Sequence, residues 1–256
     1  MSTPRVSVVT PVYNAVRTLE ATVASVQAQT MSDWEMFLID DGSDDGSAEL
    51  ARALADRDPR VHLLGWKDNR GAAEARNAGI RASRGRYIAF LDADDLWRAE
   101  KLAVQLDHME TTGAGFVFSA YRRMDAKGNP LGRVQVPEQV THAMLLRENM
   151  IGCLTAVYDT AHFGRVEMPL LRRRQDYGLW LRLLETGAEA HGITEVLADY
   201  RVGGGSLSSS RTAALAANWT LYREVAGLGR FRAATHVGGN AARVILRRLR
   251  ARWRTG

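Results

Sequence analysis

A chain of 256 residues, 46% of them hydrophobic, can bury one large core, and its single cysteine, Cys153, excludes an internal disulfide framework or a cysteine-built metal site. No apolar run of about 18 residues occurs, and Met1–Arg5 shows no signal-type pattern, so a non-spanning, cytoplasmic protein is expected. The net charge of +5 is located in the tail: residues 243–256 hold six arginines and no acid, which leaves a slightly acidic body and argues against nucleic-acid binding.

Val6–Thr10 reads as a strand that stops at Pro11, followed by a loop through Val12, Tyr13 and Asn14 and a helix to Gln29. Trp34–Ile39 is a second strand. It runs into Asp40-Asp41-Gly42-Ser43-Asp44-Asp45-Gly46-Ser47, a turn sequence with several candidate caps for a helix over 48–55. A strand at Val61–Leu64, a helix at Ala72–Ala82 and a strand at Tyr87–Leu91 continue the alternation, which means parallel βαβ units. Ligands of such sheets sit at the carboxyl ends of the strands, where Thr10, Pro11, Asp41 and Asp92–Asp95 all fall. Beyond Trp97 the pattern predicts helices over 100–111, 141–147 and 175–186, with extended segments at 115–124, 131–136 and 153–158.

The chemistry concentrates where Tyr87–Leu91 breaks into Asp92-Ala93-Asp94-Asp95. Three acids within four positions repel one another unless a cation sits among them or water screens them. Hard carboxylate oxygens select Mg²⁺ or Mn²⁺, and such sites take one or two carboxylates together with phosphate oxygens, so a nucleoside diphosphate is the natural third party. Helix capping accounts for one acid and leaves two unexplained.

The chain resembles glycosyltransferase family 2 over most of residues 5–210. The resemblance rests on Val6–Asn14, on Ser25-Val26-Gln27-Ala28-Gln29-Thr30, on the Asp40–Ser47 run, on Gly71–Gly79 with Ala75-Arg76-Asn77, on Asp92–Asp95, and on Gln175-Asp176-Tyr177-Gly178-Leu179-Trp180. It implies an α/β GT-A fold, a Rossmann-like mixed and mainly parallel sheet flanked by helices, over residues 1–210, with a C-terminal helical extension at 211–256. It implies an inverting, metal-dependent transfer of one sugar from a UDP-type donor to a saccharide or lipid-linked acceptor of surface polysaccharide assembly. By the same resemblance Thr10, Pro11 and Tyr13 line the base pocket, Asp41 accepts a base N–H, and Asp40 shapes the turn. Arg76 and Asn77 face the diphosphate or the acids. Asp92 and Asp94 contact the donor, Asp94 and Asp95 hold Mn²⁺ or Mg²⁺, and Asp176 is the catalytic base.

Two departures shape the expectation. Where family members often carry a histidine after a Tyr-Arg pair, Tyr200-Arg201 is followed by Gly203-Gly204-Gly205, which suggests a lid closing over the donor. The Gln-X-X-Arg-Trp motif of processive synthases is missing from Leu179-Trp180-Leu181-Arg182, so single-residue transfer is expected. Ile245, Leu246, Leu249 and Trp253 fall on one helical face with arginines opposite, a pattern suited to an anionic membrane surface. A sugar nucleotidyltransferase would need a Gly-rich basic loop that Pro11–Arg17 lacks, and a non-catalytic sugar-binding protein would have no use for Asp176 as a base.

Overall fold

The computed structural model of the chain describes residues 3–203 and 211–240. Strands β1 (Val6–Val12), β2 (Trp34–Asp41), β3 (Val61–Trp66) and β4 (Tyr87–Phe90) alternate with helices α1 (Leu19–Gln27), α2 (Ser47–Arg57) and α3 (Ala72–Ala82). β1 pairs in parallel with β2 and β4, and β2 with β3. Every residue of β2 is buried, because helices cover both faces of a parallel sheet.

The second half adds β5 (Leu96–Trp97), α4 (Lys101–Thr112), β6 (Phe116–Met124), β7 (Pro130–Val134), β8 (Gln139–Val140) and α5 (His142–Arg147). After these come β9 (Val157–Asp159), α6 (Thr160–Phe163), α7 (Gln175–Leu184), β10 (Ala190–Arg201) and α8 (Arg211–Thr220). The described strands form one mixed sheet in the order β3-β2-β1-β4-β9-β6-β10-β5, with β7 on β6 and β8 on β10. β9 runs antiparallel between β4 and β6, so β6 and β10 point the same way as β1–β4.

Two apolar layers sandwich the sheet. Leu19, Val23 and Val26 of α1, Leu54 of α2 and Leu102, Leu106 and Met109 of α4 pack one face. Ala75 and Ile80 of α3, Leu145 and Leu146 of α5 and the Tyr177–Leu184 stretch of α7 pack the other. The turn at Leu221–Val225 joins that second layer: Tyr222 donates its hydroxyl proton to the Leu146 carbonyl at 2.9 Å and lies 3.4 Å from the Tyr177 hydroxyl.

Several elements differ from their sequence reading. β1 continues through Pro11, because β4 pairs only as far as Val9–Phe90 and the missing N–H falls beyond that ladder. Cys153–Thr155 is a 3₁₀ turn, and the extended chain begins at Val157. β10, twelve residues long, was not anticipated, since its register shifts blur the period-two alternation. Gly204, Gly205 and the 243–256 tail lie outside the described residues.

Candidate active site

The Asp92–Asp95 loop is clamped from both sides. Thr22, fully buried on α1, donates its hydroxyl to the carbonyls of Ala93 (3.0 Å) and Asp95 (2.9 Å). Ser25 Oγ accepts the Trp97 N–H at 3.2 Å, and Gln29 donates to the Arg98 carbonyl at 2.7 Å while accepting from Leu102 N–H at 3.0 Å. The Ser25–Thr30 motif is therefore a brace for the acidic loop. From the far side Arg201, at the end of β10, donates its backbone N–H to Asp95 Oδ1 and its Nε to the Asp94 carbonyl, both at 2.8 Å.

Asp95 is fully buried, and its second oxygen, Oδ2, has no hydrogen-bond partner. Burial, followed by the charges of Asp92 and Asp94, pushes its carboxyl up. Asp94 keeps contact with solvent, yet desolvation and then Asp92 push it up to about 6.

Arg76 faces these acids because α3 lies unusually close to the sheet. A Cβ at Gly79 would fall 2.5 Å from Val9 Cγ1, so only glycine permits that approach. The buried Arg76 guanidinium pairs with Asp92, its Nε has no partner, and it feels the charges of Asp92 and Asp176. Asp176, half-buried in the first turn of α7, is held above its ordinary pKa by burial, against the lowering pull of Arg76. Arg76 therefore links the acidic loop to Asp176 in one electrostatic neighbourhood.

Asn77 does not face that space. Its amide donates to the Met168 carbonyl at 2.9 Å and accepts the Met168 N–H at 2.7 Å, stapling the loop before α7. No sequence signal distinguishes a staple from a ligand contact, since both use the same amide.

At the ends of β1 and β2, Thr10 is buried with its hydroxyl unpartnered, Pro11 is half-buried, and Tyr13 is 53% exposed. The Asp41 carboxylate is already engaged: Oδ1 accepts Trp66 Nε1–H (2.6 Å) and Arg70 N–H (2.7 Å), and Oδ2 accepts Gly71 N–H (2.8 Å). One acceptor direction remains on Oδ2. Asp40 Oδ2 accepts the Ser43 N–H at 3.3 Å, as a turn-former does, while Oδ1 is buried and unpartnered. Trp66 and Arg201, which touch Asp41 and the Asp94–Asp95 pair, were not singled out by sequence reasoning; the Tyr200-Arg201 pair was the available signal for the second.

Among the described residues no three His, Cys, Asp or Glu side chains gather into a ready metal cage. The residues present nonetheless fit a hard divalent cation that also takes phosphate oxygens. A buried carboxylate oxygen without a partner, beside two more acids, is the donor set such an ion satisfies.

Residues 7–171 match the Glycosyl transferase family 2 profile, which therefore ends five residues short of Asp176. TuaG of Bacillus subtilis (strain 168), named for a glycosyltransferase role in teichuronic acid biosynthesis, is 41% identical over 87% of this chain and 88% of its own. WfgD of Escherichia coli, a UDP-Glc:alpha-D-GlcNAc-diphosphoundecaprenol beta-1,3-glucosyltransferase, is 34% identical over 84% of this chain and 83% of its own. Among solved structures, S. aureus TarS 1-349 in complex with UDP-GlcNAc superposes with a TM-score of 0.72 at 15% identity, covering 93% of this chain and 71% of that one. The fold is accordingly the GT-A arrangement, a mostly parallel sheet between helical layers.

Proposed function

The chain belongs to glycosyl transferase family 2, and from that premise we propose that it moves a single sugar, with inversion, from a UDP-linked donor to a lipid-linked saccharide of surface polysaccharide assembly. The carrying observation is that Asp92, just past the carboxyl end of β4, pairs with Arg76 of α3, which also feels the charge of Asp176 at the start of α7. The acceptor class follows WfgD, whose name specifies a diphosphoundecaprenol-linked substrate.

In this reading the base lies against Thr10, Pro11 and Tyr13. The free direction on Asp41 Oδ2 accepts a ring N–H, and the unpartnered Thr10 hydroxyl finds its partner on the donor. Asp92 and Asp94 contact the donor, and Asp94 and Asp95 would hold Mn²⁺ or Mg²⁺. When bound, that ion neutralises charge on the departing diphosphate. Arg76 offers its unpartnered Nε to the same phosphates.

Asp176 takes the proton of the acceptor hydroxyl as that oxygen attacks the anomeric carbon, opposite the leaving diphosphate. A carboxylate is a weak base, but burial raises its proton affinity, and the hydroxyl grows acidic as its bond to carbon forms. The enzyme works at the cytoplasmic face of a membrane, with residues 211–256 as an extension whose basic tail touches anionic lipid. None of the described helices is long and apolar enough to cross that membrane.

The test is turnover by purified protein on a panel of nucleotide sugars with a diphospholipid-linked acceptor, with and without Mn²⁺. UDP-sugar turnover that EDTA abolishes is the expected result. Full turnover in EDTA removes the metal, and transfer with retained anomeric configuration removes the role of Asp176.

A further inference from the structure

The loop at 164–174, between α6 and α7, is pinned in its middle and then left electrically unfinished. Asn77 staples Met168, and Pro169 lies so close to α7 that a Cβ at Gly178 would fall 2.4 Å from its Cγ. The next residues are Leu170, 72% exposed, then Leu171, Arg172, Arg173 and Arg174, with Asp176 two positions further on. Several arginines of the frame pair with carboxylates, among them Arg60, Arg76, Arg84, Arg86, Arg98 and Arg122.

Among the described residues none of Arg172, Arg173 and Arg174 has such a partner, and Arg173 Nη1 is buried without an acceptor. Arg174 is also held at φ 67°, ψ 19°, the left-handed region that a β-carbon disfavours. Apart from Asn14, it is the one described non-glycine residue with positive φ. Backbone strain kept beside three guanidinium groups that form no ion pair, the last of them close enough for its charge to act on Asp176, marks a site prepared for a ligand.

Building on the glycosyltransferase reading, we propose that Arg172, Arg173 and Arg174 bind the diphosphate of a lipid-carried acceptor, with Leu170 against the first carbons of its lipid. Guanidinium forks match phosphate oxygens, and an exposed leucine beside them suits a lipid diphosphate better than a free nucleotide. The donor's own diphosphate has Arg76 and the acidic loop on the other side of the reacting carbon. Seating the carrier immediately before α7 brings the attached sugar to Asp176, so the loop selects acceptors by what carries them.

The experiment uses the full chain saturated with UDP and Mn²⁺ and measures binding of undecyl diphosphate below its micelle threshold, with undecyl maltoside as a neutral probe of equal tail length. Undecyl diphosphate should bind alongside UDP and more tightly than the maltoside. The double variant Arg172→Ala/Arg173→Ala should weaken it by about tenfold or more while UDP affinity stays at the wild-type value. Arg172→Glu alone, at the exposed member, gives the same reading should the double variant fail to fold. The inference is overturned if UDP displaces the probe, if the variants bind it like wild type, if the neutral probe binds equally, or if only phosphatidylglycerol vesicles bind. Wild-type protein that binds UDP but not the probe defeats this inference alone; protein that binds no UDP defeats the glycosyltransferase reading beneath it.

Discussion

Glu35 in β2 and Asp95 in the loop between β4 and β5 are both buried carboxylates, 1% and 0% exposed, and the protein treats them in opposite ways. Glu35 accepts the Ser7 hydroxyl (2.7 Å), the Arg84 backbone N–H (2.7 Å) and Arg84 Nε–H (2.8 Å). Burial raises its pKa, but those donors outweigh it and the net shift is downward. Asp58 goes further: the Arg60 side chain, joined by its backbone N–H and by Gln27, brings it to about 2 despite desolvation. Asp95 receives one backbone donor, keeps an empty oxygen, and sits beside Asp92 and Asp94. Glu35 and Asp58 find their donors within the folded chain, whereas Asp95 at the carboxyl edge keeps an oxygen with none.

Asp176→Asn should break the contrast most severely. It should lower turnover by about 10²–10⁴ with donor affinity retained, read by steady-state kinetics and UDP titration. Wild-type turnover in a folded variant would strip Asp176 of its role.

Asp95→Asn sharpens the comparison from the other direction. It should abolish Mn²⁺-dependent turnover yet raise the melting temperature of the metal-free protein, because it removes a buried like charge while an amide oxygen can still accept the Arg201 N–H. Mn²⁺ with UDP should stabilise wild type and leave the variant unchanged, by differential scanning fluorimetry. Glu35→Ala should do the reverse. Losing three donors' partner costs about 1–3 kcal/mol in urea unfolding, with activity per folded molecule unaltered.

The smallest effect is on pH. Asp94 has a folded pKa of about 6 against an ordinary 3.8, so the folded state holds the extra proton between those values. Its contribution is greatest at low pH and is lost as pH rises through 6. Asp58, lowered to about 2, contributes fully above 3.8 and loses that contribution as pH falls toward 2. Metal-free protein should therefore melt higher at about pH 5 than at about pH 7, and lower again below about pH 4. Asp94→Asn should shallow the upper limb, to which the raised Asp95 and Asp176 also contribute, and leave the lower limb unchanged.

The first half of the fold was legible because each strand and helix there is a local pattern: β2 carries the apolar run Met36–Ile39, and α3 occupies the residues its sequence predicts. The acidic cluster was legible for the same reason, since three aspartates in four residues need no tertiary partner to be noticed. β10 was not, because register shifts against β6 spoil its alternation, and neither was the 3₁₀ turn at Cys153–Thr155. Among site residues, Asn77 was read as facing the ligand when its amide is consumed by Met168. Trp66 gave no sign that its indole N–H would fill an Asp41 lone pair.

By itself the sequence determined the alternating frame, the family and the placing of its acids at strand ends, because hydrophobic period and local charge density are written in neighbouring residues. Only the tertiary structure decided which of those acids are satisfied. Arg84 reaches Glu35 across 49 positions and Arg201 reaches Asp95 across 106, while Arg172, Arg173 and Arg174 pair with no described acid. Such pairings belong to distances in space, and chain order does not contain them.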